Sequence, residues 1–327
     1  MEKLAELLMI MQLKFGDLKK TIEKKKLSQL KMQRWNQIFI ASHKSIFILL
    51  GMFGNIHLIY IILTTSSFRS KASYLQCIQS FAQVFCILNS CIDVYLMLTD
   101  SVILRQTCFN ITFSTVFCYC VQSTIMFFIL LDILILVVFP VAHRNTGTLK
   151  YVLIMSTIPF IWGAAVVTIG YQAEENPTLH LCNYFIALQR PLRRVLASAT
   201  VISNTFSLVV FVILISIFWK KGKTSNESSK TMRHLKFSAI IFIISNYLSV
   251  FVINAFILYG YAGDELNGVI GNISIFSMIS FTHTFYTIIW RSKDYRKRFF
   301  RMYCTAYGPS VTMVVPTALK NTPPSDN

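Results

Sequence analysis

Long apolar runs dominate the sequence and limit what the chain can fold into. Several of them reach or exceed the roughly 20 residues that a helix needs to cross a hydrocarbon core about 30 Å thick. The chain of 327 residues is 54% hydrophobic and only 14% charged, which leaves too little polar surface to enclose one water-soluble core. We therefore expect a protein that folds in lipid.

Seven membrane spans are predicted from these runs: 38–63, 74–98, 109–139, 151–171, 195–219, 237–259 and 266–290. Inside a bilayer every backbone amide has to be paired within its own segment, so the spans are expected to be helices. The predicted fold class is an all-α membrane protein, a seven-transmembrane helix bundle that occupies residues 38–290 as one domain.

The segments that flank the bundle differ from it in composition. Residues 1–37 are rich in Lys and carry apolar residues at the spacing of an amphipathic helix. Residues 291–304 alternate basic with aromatic side chains and predict a short amphipathic helix that lies on the membrane surface, with its basic face on anionic lipid. Cys304 is a candidate for palmitoylation, with a free or buried thiol as the alternative. Residues 305–327 are predicted to be a disordered tail.

The net charge of +17 indicates contact with membrane lipid rather than nucleic acid, because the basic residues lie between and beside the apolar runs. If the loop 64–73 is cytoplasmic, that side carries seventeen Lys and Arg outside the spans and the opposite loops carry four. This predicts a plasma-membrane protein with its N-terminus outside and its C-terminus in the cytoplasm. Residues 1–37 conflict with that orientation, because they carry nine Lys and Arg.

The sequence contains no pattern typical of catalysis or of a metal site. The six His residues are scattered between spans and loops without an H-E-x-x-H motif, and neither G-x-S-x-G nor a P-loop occurs. The eight Cys residues lack the C-x-x-C pairs of zinc sites. We therefore predict no enzymatic activity, no metal and no cofactor.

Two cysteines are placed where a disulfide could form. Cys108 lies at the start of the third span and Cys182 lies in the loop after the fourth. The predicted orientation puts both on the oxidising side of the membrane, where a disulfide can persist. Two unpaired thiols are the alternative.

Cys108 also belongs to a wider pattern of residues in and near the first and third spans. Asp132 follows Cys108 by twenty-four positions, Pro140 follows Asp132 by eight, and Gly54 and Asn55 are adjacent in the first span. The chain resembles the rhodopsin-type G-protein-coupled receptors in these spacings. The resemblance implies that Cys108 and Cys182 are bonded to each other.

Within that superfamily the sequence is most similar to the nematode serpentine chemoreceptors of class sx. The stretches that carry the similarity are Phe68–Lys71, Cys108–Phe109 and Leu131–Pro140, and the resemblance covers about residues 45–304. It implies a chemosensory receptor of the plasma membrane, with sensory cilia as a candidate location.

Three motifs of the superfamily are altered in this chain. The usual Asp-Arg-Tyr stands here as Asp132-Ile133-Leu134, so the Arg that engages the G protein is missing. Gln83 replaces the Asp that helps to hold sodium, and we therefore expect no sodium modulation. Thr284–Ile288 stands where Asn-Pro-x-x-Tyr would fall.

The candidate ligand pocket is drawn from polar residues in the second and third spans. An acid in hydrocarbon is costly, so Asp93 is expected to face the bundle interior or a wet cavity, either as a ligand contact or as a structural partner of Asn89 or Gln122. Thr115 stands where amine receptors carry an Asp and provides no charge. Tyr119 and Gln122, one and two helical turns deeper, complete the candidates, with ordinary packing as the alternative.

The expected function is that of a receptor for a small odorant or a peptide, which it binds within the helix bundle. The resemblance assigns the switch and the surface for a heterotrimeric G protein to Asp132, Ile133, Pro140 and Arg144. An inverted seven-span ligand-gated ion channel, which the Lys-rich N-terminus would suit, and a transporter are the alternatives.

Overall fold

A computed structural model describes residues 34–99, 101–172, 177–179, 182–221 and 263–304, together with isolated positions between 240 and 256. The helices of this part are α1 Arg34–Thr64, α2 Lys71–Thr99, α3 Arg105–Val138, α4 Pro140–Asn145, α5 Thr148–Tyr171, α6 Arg190–Lys221, α7 Gly263–Arg291 and α8 Lys293–Cys304. A single 3-10 turn, Ser66–Phe68, joins α1 to α2. Two short strands, β1 Ile103–Leu104 and β2 Thr178–Leu179, pair antiparallel.

Six of these helices, α1 to α3 and α5 to α7, are long and apolar enough to cross a membrane. The predicted sixth span, 237–259, falls outside the described residues except for isolated helical positions. The segment 1–33 and the tail 305–327 also lie outside them. The predicted fold class, an all-α seven-transmembrane bundle with a short helix after the last span, is confirmed.

Helix α3 is the central element of the bundle. It packs against α2, α5 and α6, and its own apolar residues are distributed around all of its faces, as is typical of a buried helix. Val116 and Cys120 belong to the apolar core near its first half, and Ile125 and Ile129 belong to a second core near its other end. Residues at both ends of α3 are therefore held by one continuous, tightly packed helix.

Two glycines allow α3 and α5 to approach each other closely. Gly163 and Gly170 of α5 lie against the rings of Phe117 and Phe109 of α3. A Cβ atom on Gly170 would lie only 2.4 Å from Cζ of Phe109. Helices in lipid associate through close packing, and small residues at the interface let their backbones come near.

We predict that Gly170→Ala destabilises the receptor by about 1–3 kcal/mol, because the added methyl group overpacks the contact with the fully buried Phe109 ring. The measurement is the Tm of the purified protein in detergent. Gly147→Ala is the matched control, since no atom lies within 4 Å of its added Cβ. Equal Tm values for the two variants would contradict this account of the α3–α5 contact.

Candidate functional site

A disulfide fixes one end of the bundle. Cys108 in the first turn of α3 is bonded to Cys182 in the loop after β2, and their Cα atoms lie 5.6 Å apart. Strand β1 lies just before Cys108 in the sequence, and β2 lies just before Cys182. Their pairing is a second link between this loop and the start of α3. The predicted disulfide is confirmed. We call residues 182–189 of this loop the roof loop.

The roof loop folds into the bundle instead of lying on its surface, and Ile186, Ala187 and Leu188 are buried. Arg105 of α3 donates a hydrogen bond to the carbonyl oxygen of Ala187 at 3.2 Å. Arg193 of α6 donates to the carbonyl oxygens of Ile186 and Leu188, each at 3.0 Å. These bonds satisfy loop carbonyls that packing has removed from water.

The roof loop, helices α1, α2, α3, α6 and α7, and Ser249 of the predicted sixth span line a cavity of about 60 Å³. Its residues from the roof loop are Asn183, Tyr184 and Phe185. The ring of Tyr184 stacks on that of Tyr119 from α3, with centroids 4.3 Å apart. Burial raises the pKa of the Tyr184 hydroxyl well above its ordinary value, so this group is a neutral hydrogen-bonding partner at the cavity wall.

A buried ion pair between α1 and α2 borders the cavity. The ammonium group of Lys44 donates to Oδ2 of Asp93, and the two side chains are only 3% and 4% exposed. The second carboxylate oxygen, Oδ1, has no hydrogen-bond partner among the described residues, and the same holds for Oδ1 of Asn89, one turn earlier in α2. The cavity wall therefore carries a neutralised pair of charges and two acceptors without donors.

The structure brings two of the four predicted pocket residues, Asp93 and Tyr119, to this cavity. Thr115 and Gln122 are buried but are not among the residues that line it. Gln122 instead donates to the hydroxyl of Ser280 in α7 at 3.4 Å. It belongs to a deeper polar contact between α3 and α7, and the role of all four residues in ligand binding stays a prediction.

Lys44 is the site residue that sequence reasoning missed. Asn89 and Gln122 were the structural partners predicted for Asp93, with a ligand contact as the alternative, whereas its ion-pair partner is Lys44 of a different helix. One signal in the sequence could have found it. Lys44 is the single Lys or Arg of the predicted first span, and Asp93 is the single acidic residue of the predicted second span. Charges inside a membrane usually pair with each other.

A second polar cluster lies at the opposite end of α3. Oδ1 of Asp132 lies 2.8 Å from Nε2 of His143 in α4, and Asp132 is 1% exposed. The ring of His143 packs edge-on against Tyr151 of α5, with centroids 5.3 Å apart. Lys71 of α2 donates to the carbonyl oxygen of His143 and lies 4.8 Å from the centroid of the Tyr151 ring. We call these four residues the Asp132 cluster.

The other predicted switch residues take different positions at this end. Ile133 is buried within the apolar core, with Ile129 and Leu130 among its members. Pro140 and Arg144 are exposed on α4. Pro140 begins α4 because a proline lacks the amide that would continue α3, yet it fits the first turn of a new helix. Only Pro140 and Arg144 of this set present a surface to a partner, while Asp132 and Ile133 face inward.

Helix α8 is attached to the same end of the bundle. Arg298 donates to the hydroxyl of Thr65 at 3.1 Å, and the ring of Tyr295 stacks on that of Phe68 with centroids 4.2 Å apart. Burial raises the pKa of the Tyr295 hydroxyl above its ordinary value. Cys304 is the last residue of α8.

A transmembrane helix bundle, a disulfide-tied loop over a small cavity and an amphipathic helix after the last span define a seven-transmembrane receptor. The model of the family serpentine type 7TM GPCR chemoreceptor Srsx matches residues 48–303. The chain belongs to this family, which confirms the resemblance to class sx. Among curated proteins, none matches the chain.

We predict that Lys44→Met and Asp93→Asn each destabilise the receptor by about 3–5 kcal/mol, because each leaves an uncompensated buried charge or breaks the pair that held it. The double variant should lose much less than the sum of the two losses, since it removes both charges. The measurement is Tm in detergent for the four proteins of this cycle. Lys150→Met, at an exposed lysine of α5, is the control. Strictly additive losses would show that the two side chains do not depend on each other.

Proposed function

We propose that this receptor binds a small molecule in the cavity beneath the roof loop and transmits that binding to a heterotrimeric G protein at the opposite end of the bundle. The cavity is the observation that carries the proposal. Its volume of about 60 Å³ compares with the roughly 10–15 Å³ that one water requires. This favours a small odorant over a peptide. We propose no catalytic activity for the chain.

The Asp132 cluster is the proposed switch. The buried carboxylate of Asp132 in α3 contacts His143 of α4. His143 in turn contacts Lys71 of α2 and Tyr151 of α5, so a shift of α3 changes the position of α4. A ligand that favours one of two helix packings would break the contact between Asp132 and His143 and change the surface that the G protein meets. Pro140 and Arg144 on α4 are the described residues that we assign to this surface.

We also propose that the N-terminus lies outside the plasma membrane and the C-terminus lies in the cytoplasm, with sensory cilia as a candidate location. The loops support this orientation with seventeen basic residues against four. The disulfide supports it as well, because its end of the bundle then faces the oxidising side.

Epitope tags at the two termini test the orientation directly. On intact cells we expect an antibody to reach the N-terminal tag, and to reach the C-terminal tag only after permeabilisation. An N-terminus found inside would contradict the receptor orientation and would favour the inverted channel.

We predict that His143→Phe raises basal G-protein activation about fivefold, the factor that corresponds to the loss of about 1 kcal/mol from the resting packing. The variant retains a ring against Tyr151 but removes the partner of Asp132. The measurement is nucleotide exchange on a panel of coexpressed Gα subunits, normalised to the amount of receptor at the cell surface.

His143→Gln is the matched control for this switch, because its amide can still donate to the Asp132 carboxylate. We expect its basal activation to stay near that of the unchanged receptor. If both variants activate equally, the contact with Asp132 does not hold the resting state. If no Gα subunit responds to any of the three proteins, G-protein coupling is excluded for that panel and the proposal fails.

A further inference from the structure

We infer that the cavity selects an uncharged small molecule that donates hydrogen bonds. The inference rests on the proposed function, in that it takes the cavity beneath the roof loop as the ligand site. The charges and the acceptor atoms of the cavity wall define the chemical class of that ligand.

The buried ion pair disfavours ligands with a single charge. An anion could bind well only by drawing Lys44 away from Asp93, which would leave the carboxylate buried without a counter-charge. A cation would compete with Lys44 for Asp93 and leave the ammonium group in the same state. Both side chains are at least nine-tenths buried, so water cannot readily compensate the charge that is left behind. A neutral ligand leaves the pair intact.

The unpartnered acceptors specify the polarity of that neutral ligand. Oδ1 of Asp93 and Oδ1 of Asn89 belong to residues that are 3% and 6% exposed and that line the cavity, and neither has a donor among the described residues. A buried acceptor without a donor is unfavourable. A ligand with N–H or O–H groups would supply the donors, whereas a ligand with acceptors alone would leave both oxygens without one.

The remaining wall sets the size and the apolar part of the ligand. Aromatic rings of Tyr119, Tyr184 and Phe281 line the cavity and offer faces for a short hydrocarbon portion. A volume of about 60 Å³ holds roughly four to six waters, which corresponds to a ligand of about four to six non-hydrogen atoms. The expected ligand is therefore a small alcohol or primary amide with a short alkyl part.

Probes of nearly equal size and different charge test this inference on the full-length receptor purified in detergent. The probes are propionamide, propionate, propylammonium, methyl propionate and alanine, which are respectively a neutral donor, an anion, a cation, a neutral acceptor and a zwitterion. Binding is read from the dependence of Tm on probe concentration. We expect the dissociation constant of propionamide to be at least tenfold lower than that of each other probe.

Asn89→Leu should weaken the preference for propionamide over methyl propionate, because it removes one of the two acceptors, and should leave the preference over the charged probes, which depends on the ion pair. The matched control is Asn204→Leu in α6. Asn204 is also buried, its amide atoms have no partner in the described part of the chain, and it does not line the cavity. The control should therefore keep the preference. Comparison of the probes on the unchanged receptor needs no variant, so the test stands even if Asn89→Leu fails to fold.

Any other ranking overturns the inference. A charged probe or alanine that binds as tightly as propionamide would show that the ion pair opens for its ligand. Equal binding of methyl propionate would show that the acceptors do not select donors, and the absence of binding by all five probes would also overturn the proposed ligand class. None of these results touches the coupling assay on His143→Phe, which uses no ligand. The failure of the inference and the failure of the proposed function are thus distinguishable.

Discussion

A charge inside a membrane-spanning helix has to be turned toward the protein, and this constraint organises the bundle. Lys44 of α1 and Asp93 of α2 satisfy this constraint by pairing with each other, and the pair links the two helices beside the cavity. Asp132, at the end of α3 that lies away from the cavity, satisfies it through the contact of its carboxylate with His143 of α4. Because charges are costly in lipid and strong when paired, these two contacts fix which faces of the helices turn inward.

Helix α3 connects these two contacts mechanically. Its first turn carries the disulfide to the roof loop, its middle carries Tyr119 at the cavity, and its last turns carry Asp132. The close approach of α5 at Gly163 and Gly170 leaves little room for α3 to bend on its own. In the mechanism that we propose, a change in the cavity reaches the far end as a movement of the whole helix, since packed interfaces do not deform continuously.

The sequence alone was sufficient for the features that depend on local pattern. Apolar length predicted the six spans that the structure describes, and the placement of Cys108 and Cys182 together with the resemblance to rhodopsin-type receptors predicted the disulfide. The partners of Asp93 and Asp132 do not follow from local pattern, because they lie on other helices and depend on how those helices are rotated and how deep each residue sits. Gln122 shows the same limit. It shares a face with Tyr119 in sequence, but its depth places it against Ser280 of α7 instead of the cavity.

The burial of Ile133 has a consequence for substitutions at this position. The side chain stands where the Asp-Arg-Tyr motif has its arginine, and it belongs to a core that includes Ile129, Leu130 and Leu214. A guanidinium group there would have to displace these aliphatic neighbours, so the single substitution Ile133→Arg would not by itself place a usable arginine at this end of the bundle. Several of the neighbours would have to change with it.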